Sequence, residues 1–436
     1  MTGLQTDLYE ITMAAGYFSA GKVQDVATFE LFVRRLPPNR RFLVAAGLQQ
    51  AVEYLENLRF RKEEVEFLRG LPQFAHVPPE FFDYLTGLRF SGDLFAVPEG
   101  MPVFANEPIL TVRAPIIEAQ IPETYLLSIV GFQTMIASKA VRVVEAAAGR
   151  AVVEFGSRRA HSPEAGVLAG RAAYIGGCAG TSNVASAFRY GVPVYGTAAH
   201  SWVMAFGSEE QAFRQLQKLF GPAATYVLDT YDTLEAARTA ARLGRPLWGV
   251  RLDSDQAIAL AHQVRRILDE AGLHDAKIMA SGDLNEDKIR RILAAKSPID
   301  AFGVGTELST SADAPSLSVV YKMAQIEISG IKRYTAKYSD DKQTLPGAKQ
   351  IFRGSTGDLI GGAWECCPPE LGSARALMQP VMLRGQRVQE LPSVKEARER
   401  CRREIALLSE NHTVGYSREM LALAEQVRHS LRPLQV

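Results

Sequence analysis

The 436-residue chain is long enough for two or three domains, and its 49 basic and 48 acidic residues give a formal net charge of +1. Apolar residues make up 47% and charged residues 22%, which is typical of a globular protein and excludes a long disordered one. The near-neutral balance argues against a general nucleic-acid binder, which needs a basic excess to neutralise phosphates.

The N-terminal segment, residues 1–120, predicts a mixed α+β domain. Thr6 is the expected cap of a helix that runs to about Ala20, and the alternation over 28–34 predicts a strand. Further helices are expected at 45–58, 62–68 and 79–85, and short strands at 93–97 and 109–112.

The middle segment, residues 121–316, predicts parallel βαβ units behind a long helix over 121–148. Short strands alternate here with helices such as 257–271 and 285–294. The expected strands are 151–155, 193–196, 225–228, 247–252, 277–280 and 299–302. Because polar clusters follow the strand ends, we prefer an irregularly closed barrel to a doubly wound sheet.

The C-terminal segment, residues 317–436, returns to strands at 318–326, 334–338 and 350–353 before a helix-rich tail from Val394. This return predicts that it completes the N-terminal domain. The expected fold class is therefore α/β, with an irregular (β/α) barrel and a split α+β domain made from the N- and C-terminal parts.

Cysteine usage and the N-terminus predict a cytoplasmic protein. No CxxC pair or zinc-finger spacing is present, so we expect reduced thiols at Cys178, Cys366, Cys367 and Cys401. Residues 1–8 lack the features of a signal peptide. No apolar run approaches the ~20 residues of a membrane helix, so we expect no membrane segment.

Two glycine-rich turns at consecutive strand ends predict a phosphate site. Ser-Gly-Asp at 281–283 follows one strand, and Gly-Val-Gly-Thr at 303–306 follows the next. Glycine lets the backbone approach a ligand, and a helix N-terminus offers free N–H donors. One such turn is most often a plain turn, but two in succession favour phosphate binding.

Titratable side chains follow the other strand ends. His200 is by default a hydrogen-bonded structural residue, but its place at a strand end favours a function. Asp229 and Asp253 stand before the expected helix caps, where a carboxylate orients a histidine or holds phosphate-bound Mg²⁺. Arg158 either grips an anion or forms a surface ion pair, and Phe155 either stacks on a flat ring or packs in the core.

These motifs resemble the nicotinate phosphoribosyltransferases, which are type II phosphoribosyltransferases, over nearly the whole chain. The matching stretches are residues 6–10, 29–38, 154–159, 173–183, 196–203, 229–234, 249–254, 281–284, 302–308 and 337–347.

The resemblance implies a reaction, cofactors and partners. Members join nicotinate to phosphoribosyl pyrophosphate, giving nicotinate mononucleotide and pyrophosphate, the first step of NAD salvage from nicotinate. They couple this to ATP hydrolysis through a phosphohistidine and require Mg²⁺. The resemblance therefore implies an ATP-dependent, C–N bond-forming enzyme that takes small-molecule substrates, binds no nucleic acid or membrane, and forms a homodimer with shared active sites.

The resemblance also implies residue roles. His200 is the phosphorylated histidine, Asp229 its orienting carboxylate, and Asp253 a contact to ribose and, indirectly, Mg²⁺. Phe155 and a partner subunit's Tyr9 stack on the two faces of the ring. The backbone amides of Gly282, Gly305 and Thr306 surround the 5′-phosphate. The other implied substrate contacts are Arg158, Thr181, Ser182, Thr197, Arg251, Ser281 and Asp283.

The choice of ring substrate, and two departures from the family's sequence pattern, bear on which alternative functions stay open. Nicotinamide enzymes carry an Asp shortly after the Gly-Thr that here precedes Ser182, and a hydroxyl suits a carboxylate better than an Asp does. Members of the family usually have Gly-Asp-Leu where this chain has Asp-Gln-Ala at 255–257, a difference that bears on how phosphate and Mg²⁺ are bound. A second departure is Ser157, where relatives often carry a larger residue. The alternatives are a nicotinamide or quinolinate phosphoribosyltransferase and a non-catalytic phosphosugar- or nucleotide-binding barrel.

Overall fold

A computed structural model describes residues 3–339, 342–367, 372 and 374–431. The chain divides into two compact units, one of residues 1–135 with 316–436 and one of residues 136–315. The first division falls between residues 135 and 136, inside a long helix, Glu123–Ala146.

The N-terminal part alternates helices with short strands. In chain order its elements are α1 Leu8–Ser19, β1 Val26–Val33, β2 Leu43–Val44, α2 Leu48–Glu56, α3 Lys62–Arg69, α4 Pro79–Gly87, β3 Asp93–Ala96, β4 Pro102–Val103, β5 Pro108–Pro115, α5 Ile116–Gln120 and α6 Glu123–Ala146. The first helix starts one residue later than predicted, because Asp7 and not Thr6 is its N-cap. The Thr6 hydroxyl instead donates to the carbonyl of Ile121 at 2.9 Å.

The middle part consists of β-strands followed by helices. Its elements are β6 Ala151–Glu154, α7 Pro163–Ile175, β7 Gly180–Thr181, α8 Val184–Tyr190, α9 His200–Met204, α10 Glu209–Phe220, β8 Thr225–Val227, α11 Thr233–Leu243, β9 Gly249–Leu252, α12 Asp255–Ala259, α13 Ala261–Glu270, β10 Lys277–Ala280, α14 Glu286–Ala294, β11 Ala301–Val304 and α15 Thr306–Ser309.

These six strands form a parallel sheet in the order β7-β6-β11-β10-β9-β8. The last strand, β11, pairs with the first, β6, which is how a barrel brings its first and last strands together. The predicted strand 193–196 was wrong, since only Val194 bridges to Thr181. The two-residue strand β7 was missed. The result is the irregular barrel that the sequence predicted.

The C-terminal part returns to the first unit. Its elements are β12 Val319–Ile328, β13 Ile331–Tyr334, β14 Lys349–Arg353, β15 Gly357–Gly362, β16 Arg375–Ala376, β17 Gln379–Leu383, β18 Gln386–Arg387, α16 Val394–Leu407, β19 Thr413–Tyr416 and α17 Arg418–Leu431. A seven-stranded sheet in the order β13-β12-β1-β5-β3-β17-β18 interleaves strands from both chain ends. The split α+β domain is thus confirmed.

One helical stretch corrects the expectation about apolar runs. A window within Ile116–Ala146 is long and apolar enough to cross a membrane by length and composition, with a mean hydropathy of 1.3. Within the protein, 67% of that window is buried, as in the core helix of a globular protein. Packing inside the fold therefore accounts for its apolar character.

A buried carboxyl ties the first helix to the start of α6. Glu10 accepts hydrogen bonds from the backbone N–H of Asp7 at 3.2 Å and of Thr124 at 2.9 Å. Burial raises the pKa of Glu10 to about 7; hydrogen bonds from Thr124 oppose this rise, and the nearby Glu123 carboxylate adds to it. Glu10 therefore holds a proton in the folded protein at pH values where an unfolded glutamate has lost it.

This carboxyl predicts a pH dependence of stability. Between about pH 4.5 and 7 the folded chain binds more protons than the unfolded chain, so the unfolding free energy falls as the pH rises through this window. Glu10→Gln does not titrate and should gain about 2 to 3 kcal/mol on wild type between pH 5 and pH 8. Urea unfolding of both proteins at the two pH values measures this gain. An unchanged difference would contradict it.

Candidate active site

A cavity of about 460 Å³ opens at the carboxyl ends of the barrel strands, all of it within residues 136–315. In a parallel sheet these ends meet at one edge, where ligands of α/β proteins bind. The lining residues are Phe155, Arg158, Arg159, Ser182, Gly196, Thr197, Ala199, His200, Arg251, Asp253, Ser281, Gly282, Asp283, Gly303, Gly305 and Thr306.

The cavity brings together twelve of the fifteen residues that the sequence singled out, from six separate loops. The three that do not line it are Tyr9, Thr181 and Asp229. Its further lining residues are Arg159, Gly196, Ala199 and Gly303. Gly303 belongs to the glycine-rich turn that the sequence singled out, whereas Arg159, Gly196 and Ala199 were signalled only by the predicted site residues next to them.

Asp253 is the centre of the polar network in this cavity. Its Oδ1 accepts from the Ser281 hydroxyl at 2.6 Å, and its Oδ2 pairs with the Arg251 guanidinium. His200 Nε2 lies 3.5 Å from the same Oδ2. Side chains from β9, from the start of α9 and from the turn after β10 therefore converge on one carboxylate.

The charge state of Asp253 follows from these neighbours. Burial acts to raise the pKa of this carboxyl, but the Arg251 guanidinium, the Ser281 hydroxyl and the His200 ring outweigh it and hold the pKa below its usual value. The carboxylate is therefore ionised at neutral pH. Arg251 is itself buried and also donates to the Thr197 hydroxyl at 2.5 Å.

His200 is held differently from the expectation. Its Nδ1 lies 3.1 Å from the Thr230 hydroxyl, and Asp253 is the carboxylate nearest its Nε2. Asp229 Oδ2 instead accepts the backbone N–H of Asp253 at 3.1 Å, while its buried Oδ1 has no partner among the described residues. Asp229 therefore contacts the loop that carries Asp253, and Thr230 is the residue that contacts Nδ1 of the ring.

Backbone N–H groups at the two glycine-rich turns are left unpaired. Among the described residues, those of Gly282, Gly305 and Thr306 donate to no other group. Gly282 has a φ of +98°, and a Cβ there would lie 2.4 Å from the carbonyl oxygen of Asp253. Only glycine fits that position, and its N–H remains available to an anion.

Phe155 lies over the barrel interior. Its ring packs against the buried cluster of Val153, Met279 and Ala301. A Cβ on Gly303 would come within 2.5 Å of this ring, so the glycine makes room for it. The ring thus packs on the core and also lines the cavity, and stacking on a ligand ring stays a prediction.

Thr181 is buried behind the cavity wall and does not line the cavity. It is fully buried, and its hydroxyl donates to Glu154 at 2.5 Å. The other oxygen of Glu154 accepts the backbone N–H of Gly156. Burial raises the pKa of Glu154, and these two hydrogen bonds oppose the rise. Thr181 thus links Glu154 to the turn that leads to Ser182, and a contact from Thr181 to substrate stays a prediction.

The departure at Asp255 lies outside the cavity. Asp255 is the first residue of α12, and its carboxylate pairs with Lys288 at 3.1 and 3.2 Å. Ser157 likewise turns aside and accepts from the Asn183 side chain at 3.1 Å. Neither Asp255 nor Ser157 lines the cavity.

The donors present fit a Mg²⁺ ion that is held mainly by substrate phosphates. Over the described residues no group of three or more His, Cys, Asp or Glu side chains could enclose a metal ion. Mg²⁺ commonly needs only one or two carboxylates beside phosphates and water. Asp253, with the unpartnered Oδ1 of Asp229 behind it, offers that number.

Comparison with known proteins places the whole chain. Three family models match it: the nicotinate phosphoribosyltransferase (NAPRTase) N-terminal domain over residues 4–131, the nicotinate phosphoribosyltransferase (NAPRTase) family over 151–349, and the nicotinate phosphoribosyltransferase C-terminal domain over 369–414.

Individual relatives agree. The chain is 44% identical to the nicotinate phosphoribosyltransferase pncB2 of Mycobacterium tuberculosis, over 93% of this chain and 87% of that protein. It is 43% identical to the Bacillus subtilis nicotinate phosphoribosyltransferase, over 80% and 72%. The crystal structure of human nicotinic acid phosphoribosyltransferase superimposes with a TM-score of 0.83 at 28% identity, over 97% and 99%. The chain belongs to the nicotinate phosphoribosyltransferase family of enzymes.

Proposed function

We propose that this chain transfers the phosphoribosyl group of phosphoribosyl pyrophosphate to the ring nitrogen of nicotinate, coupled to ATP hydrolysis. The observation that carries the proposal is the cavity itself. It combines unpaired N–H donors at two glycine-rich turns with the Arg251–Asp253–His200 network and the Phe155 ring. These are parts that suit a phosphosugar, a polyanionic leaving group and a flat ring.

The transfer needs positioning more than proton exchange. The ring nitrogen forms a bond to the ribose anomeric carbon, while the bond from that carbon to pyrophosphate breaks and pyrophosphate carries away the electron pair. Positive charge develops on the ribose and negative charge on the leaving group. Fixed donors at Gly282, Gly305 and Thr306 hold the 5′-phosphate, and the anionic Asp253 faces the ribose.

ATP coupling is assigned to His200. His200 Nδ1 lies 3.1 Å from the Thr230 hydroxyl, and its Nε2 is the nitrogen assigned to accept the phosphoryl group. Nε2 takes the terminal phosphoryl group of ATP and releases ADP, and water later removes that group as phosphate. The net free energy of this cycle drives the otherwise weakly favoured transfer. Mg²⁺, when bound beside Asp253, offsets the negative charge of the phosphates.

The acid rather than the amide is the proposed ring substrate. Ser182 lines the cavity with a hydroxyl that can donate to a carboxylate, and Arg158 lies in the same lining. No carboxylate side chain occupies the turn after Thr181, where one would repel the nicotinate carboxylate. A nicotinamide or quinolinate enzyme is the alternative that the test below separates.

The proposed assembly is a cytoplasmic homodimer in which Tyr9 of one subunit serves the other's site. Tyr9 is 44% exposed on α1 in the first unit, which suits a residue that contacts a second chain. None of the four cysteines forms a disulfide bond in the described part of the chain, which suits a reducing compartment.

Ring selectivity tests the proposal. We expect mononucleotide formation from phosphoribosyl pyrophosphate to be fastest with nicotinate, at least about 10²-fold slower with nicotinamide or quinolinate, and faster with Mg-ATP than without it. Chromatographic assay of each mononucleotide measures the rates. Preference for either other ring would replace the proposed substrate, and ligand binding without any product would favour the non-catalytic alternative.

A further inference from the structure

The two turns that carry the unpaired N–H groups make no direct hydrogen bond to each other in the described part of the chain. Residues 281–286 follow β10 and residues 303–309 follow β11, and these strands are neighbours in the barrel sheet. A phosphate that binds N–H groups from both turns needs their spacing fixed to within about 0.5 Å.

A buried lysine supplies the missing link. Lys139 lies on α6 within the second unit, and only 1% of its side chain is exposed. Its Nζ is 2.7 Å from Oε2 of Glu286. Glu286 is the first residue of α14 and follows the first of the two glycine-rich turns. The same Nζ is 3.9 Å from Glu307 Oε2, directly after Thr306 in the other turn, and 2.9 Å from Asp313 Oδ1.

A second cation repeats the connection. Arg142 follows Lys139 by three residues on the same face of α6. Its Nη1 is 3.2 Å from Glu286 Oε1 and 2.5 Å from Asp313 Oδ2. Two positive and three negative groups thus join both turns to one helix. A buried, multiply paired ammonium allows little displacement of its partners, because any loosened carboxylate would be left poorly compensated.

We propose that Lys139 is a positioning residue for the 5′-phosphate site, which sets the spacing of the Gly282 and Gly305–Thr306 N–H groups through Glu286, Glu307 and Asp313. This inference rests on the proposed function, because it assigns the two turns to the 5′-phosphate of the donor. It predicts an effect confined to the phosphate end of the substrates. The nicotinate contacts Phe155 and Ser182 belong to other loops.

The test measures dissociation constants for ribose 5-phosphate and for nicotinate separately, by calorimetry. In Lys139→Met, ribose 5-phosphate binding should weaken about 10- to 100-fold, the loss expected when a binding group moves by roughly 1 Å. Nicotinate binding should change less than about twofold. Lys139→Arg keeps the charge and should recover most of the affinity, which a packing role alone would not require.

Two further variants guard the result. Glu286→Gln keeps the shape of one carboxylate partner but weakens its ion pair with Lys139. This variant should also lose ribose 5-phosphate affinity while nicotinate affinity stays unchanged, and it serves as the test if Lys139→Met does not fold. Lys277→Met removes a lysine from β10 that pairs with Asp300 at 3.5 Å on the surface, and should change neither constant.

The inference is overturned if folded variants lose both ligands equally, or lose neither, or if wild-type protein does not bind ribose 5-phosphate. Wild-type protein that binds ribose 5-phosphate but forms no nicotinate mononucleotide would instead count against the proposed function alone.

Discussion

Asp253→Asn should lower kcat for nicotinate mononucleotide formation by about 10²- to 10³-fold, with ATP or without it. The substitution keeps the side chain's shape but removes the one negative charge on which Arg251, His200 and Ser281 converge. The buried Arg251 then loses its counter-charge, and under the proposed function the ribose also loses a carboxylate beside its developing positive charge. Initial rates measured at saturating substrates report the loss.

The chain offers a matched control two residues away. Asp255→Asn makes the same chemical change at an exposed position that pairs with Lys288 outside the cavity. We expect rates within about twofold of wild type, as for a surface ion pair. Equal damage from both substitutions would show that the α12 loop as a whole, rather than the Asp253 carboxylate, governs activity.

His200→Ala should abolish the stimulation of ATP hydrolysis by nicotinate and phosphoribosyl pyrophosphate, a loss of more than about 10³-fold. The alanine has no nitrogen to accept the phosphoryl group, so the covalent route is gone. The slow ATP-independent transfer should persist, because Asp253 and the unpaired N–H groups remain in place. Coupled assays of ADP release and of mononucleotide formation separate the two effects.

A second histidine provides the comparison. His274 is exposed and pairs with Asp269 at 3.2 Å, so His274→Ala should leave both rates unchanged. If His200→Ala kept its ATP coupling, another residue would have to carry the phosphoryl group. Loss of the ATP-independent reaction as well would assign His200 a direct part in the transfer.

The site's position could be read from the sequence because strand ends are local features. The strand Lys277–Ala280 was predicted with its observed bounds, and the turns at 281–283 and 303–306 line the cavity as expected. Parallel strands bring such turns together wherever the sheet closes. Most residues that line the cavity could therefore be predicted from the positions of the strand ends.

The contacts between those residues could not be read in the same way. Asp229 and Asp253 both follow strands, and nothing local says which carboxylate reaches His200. The structure decides this through a backbone contact, since Asp229 is occupied by the N–H of Asp253. The position of Thr181 behind the cavity lining could not be read from the sequence for a similar reason, because its partner Glu154 lies 27 residues away and is fully buried.

The irregular part of the barrel was also beyond sequence patterns. Strand β7 has two residues, too few for any alternation to show, and Val194 contributes a single bridge. The Lys139 network was missed because a lysine on a long apolar helix gives no sign of which carboxylates it will meet.

The most direct test of the whole account is to count products in one reaction of wild-type protein with nicotinate, phosphoribosyl pyrophosphate and Mg-ATP. The proposed reaction should give nicotinate mononucleotide and pyrophosphate in equal amounts. ADP should form at the same time, and its rate of formation should be lower when nicotinate is withheld. ADP release without any mononucleotide, or no turnover of either substrate, would contradict it.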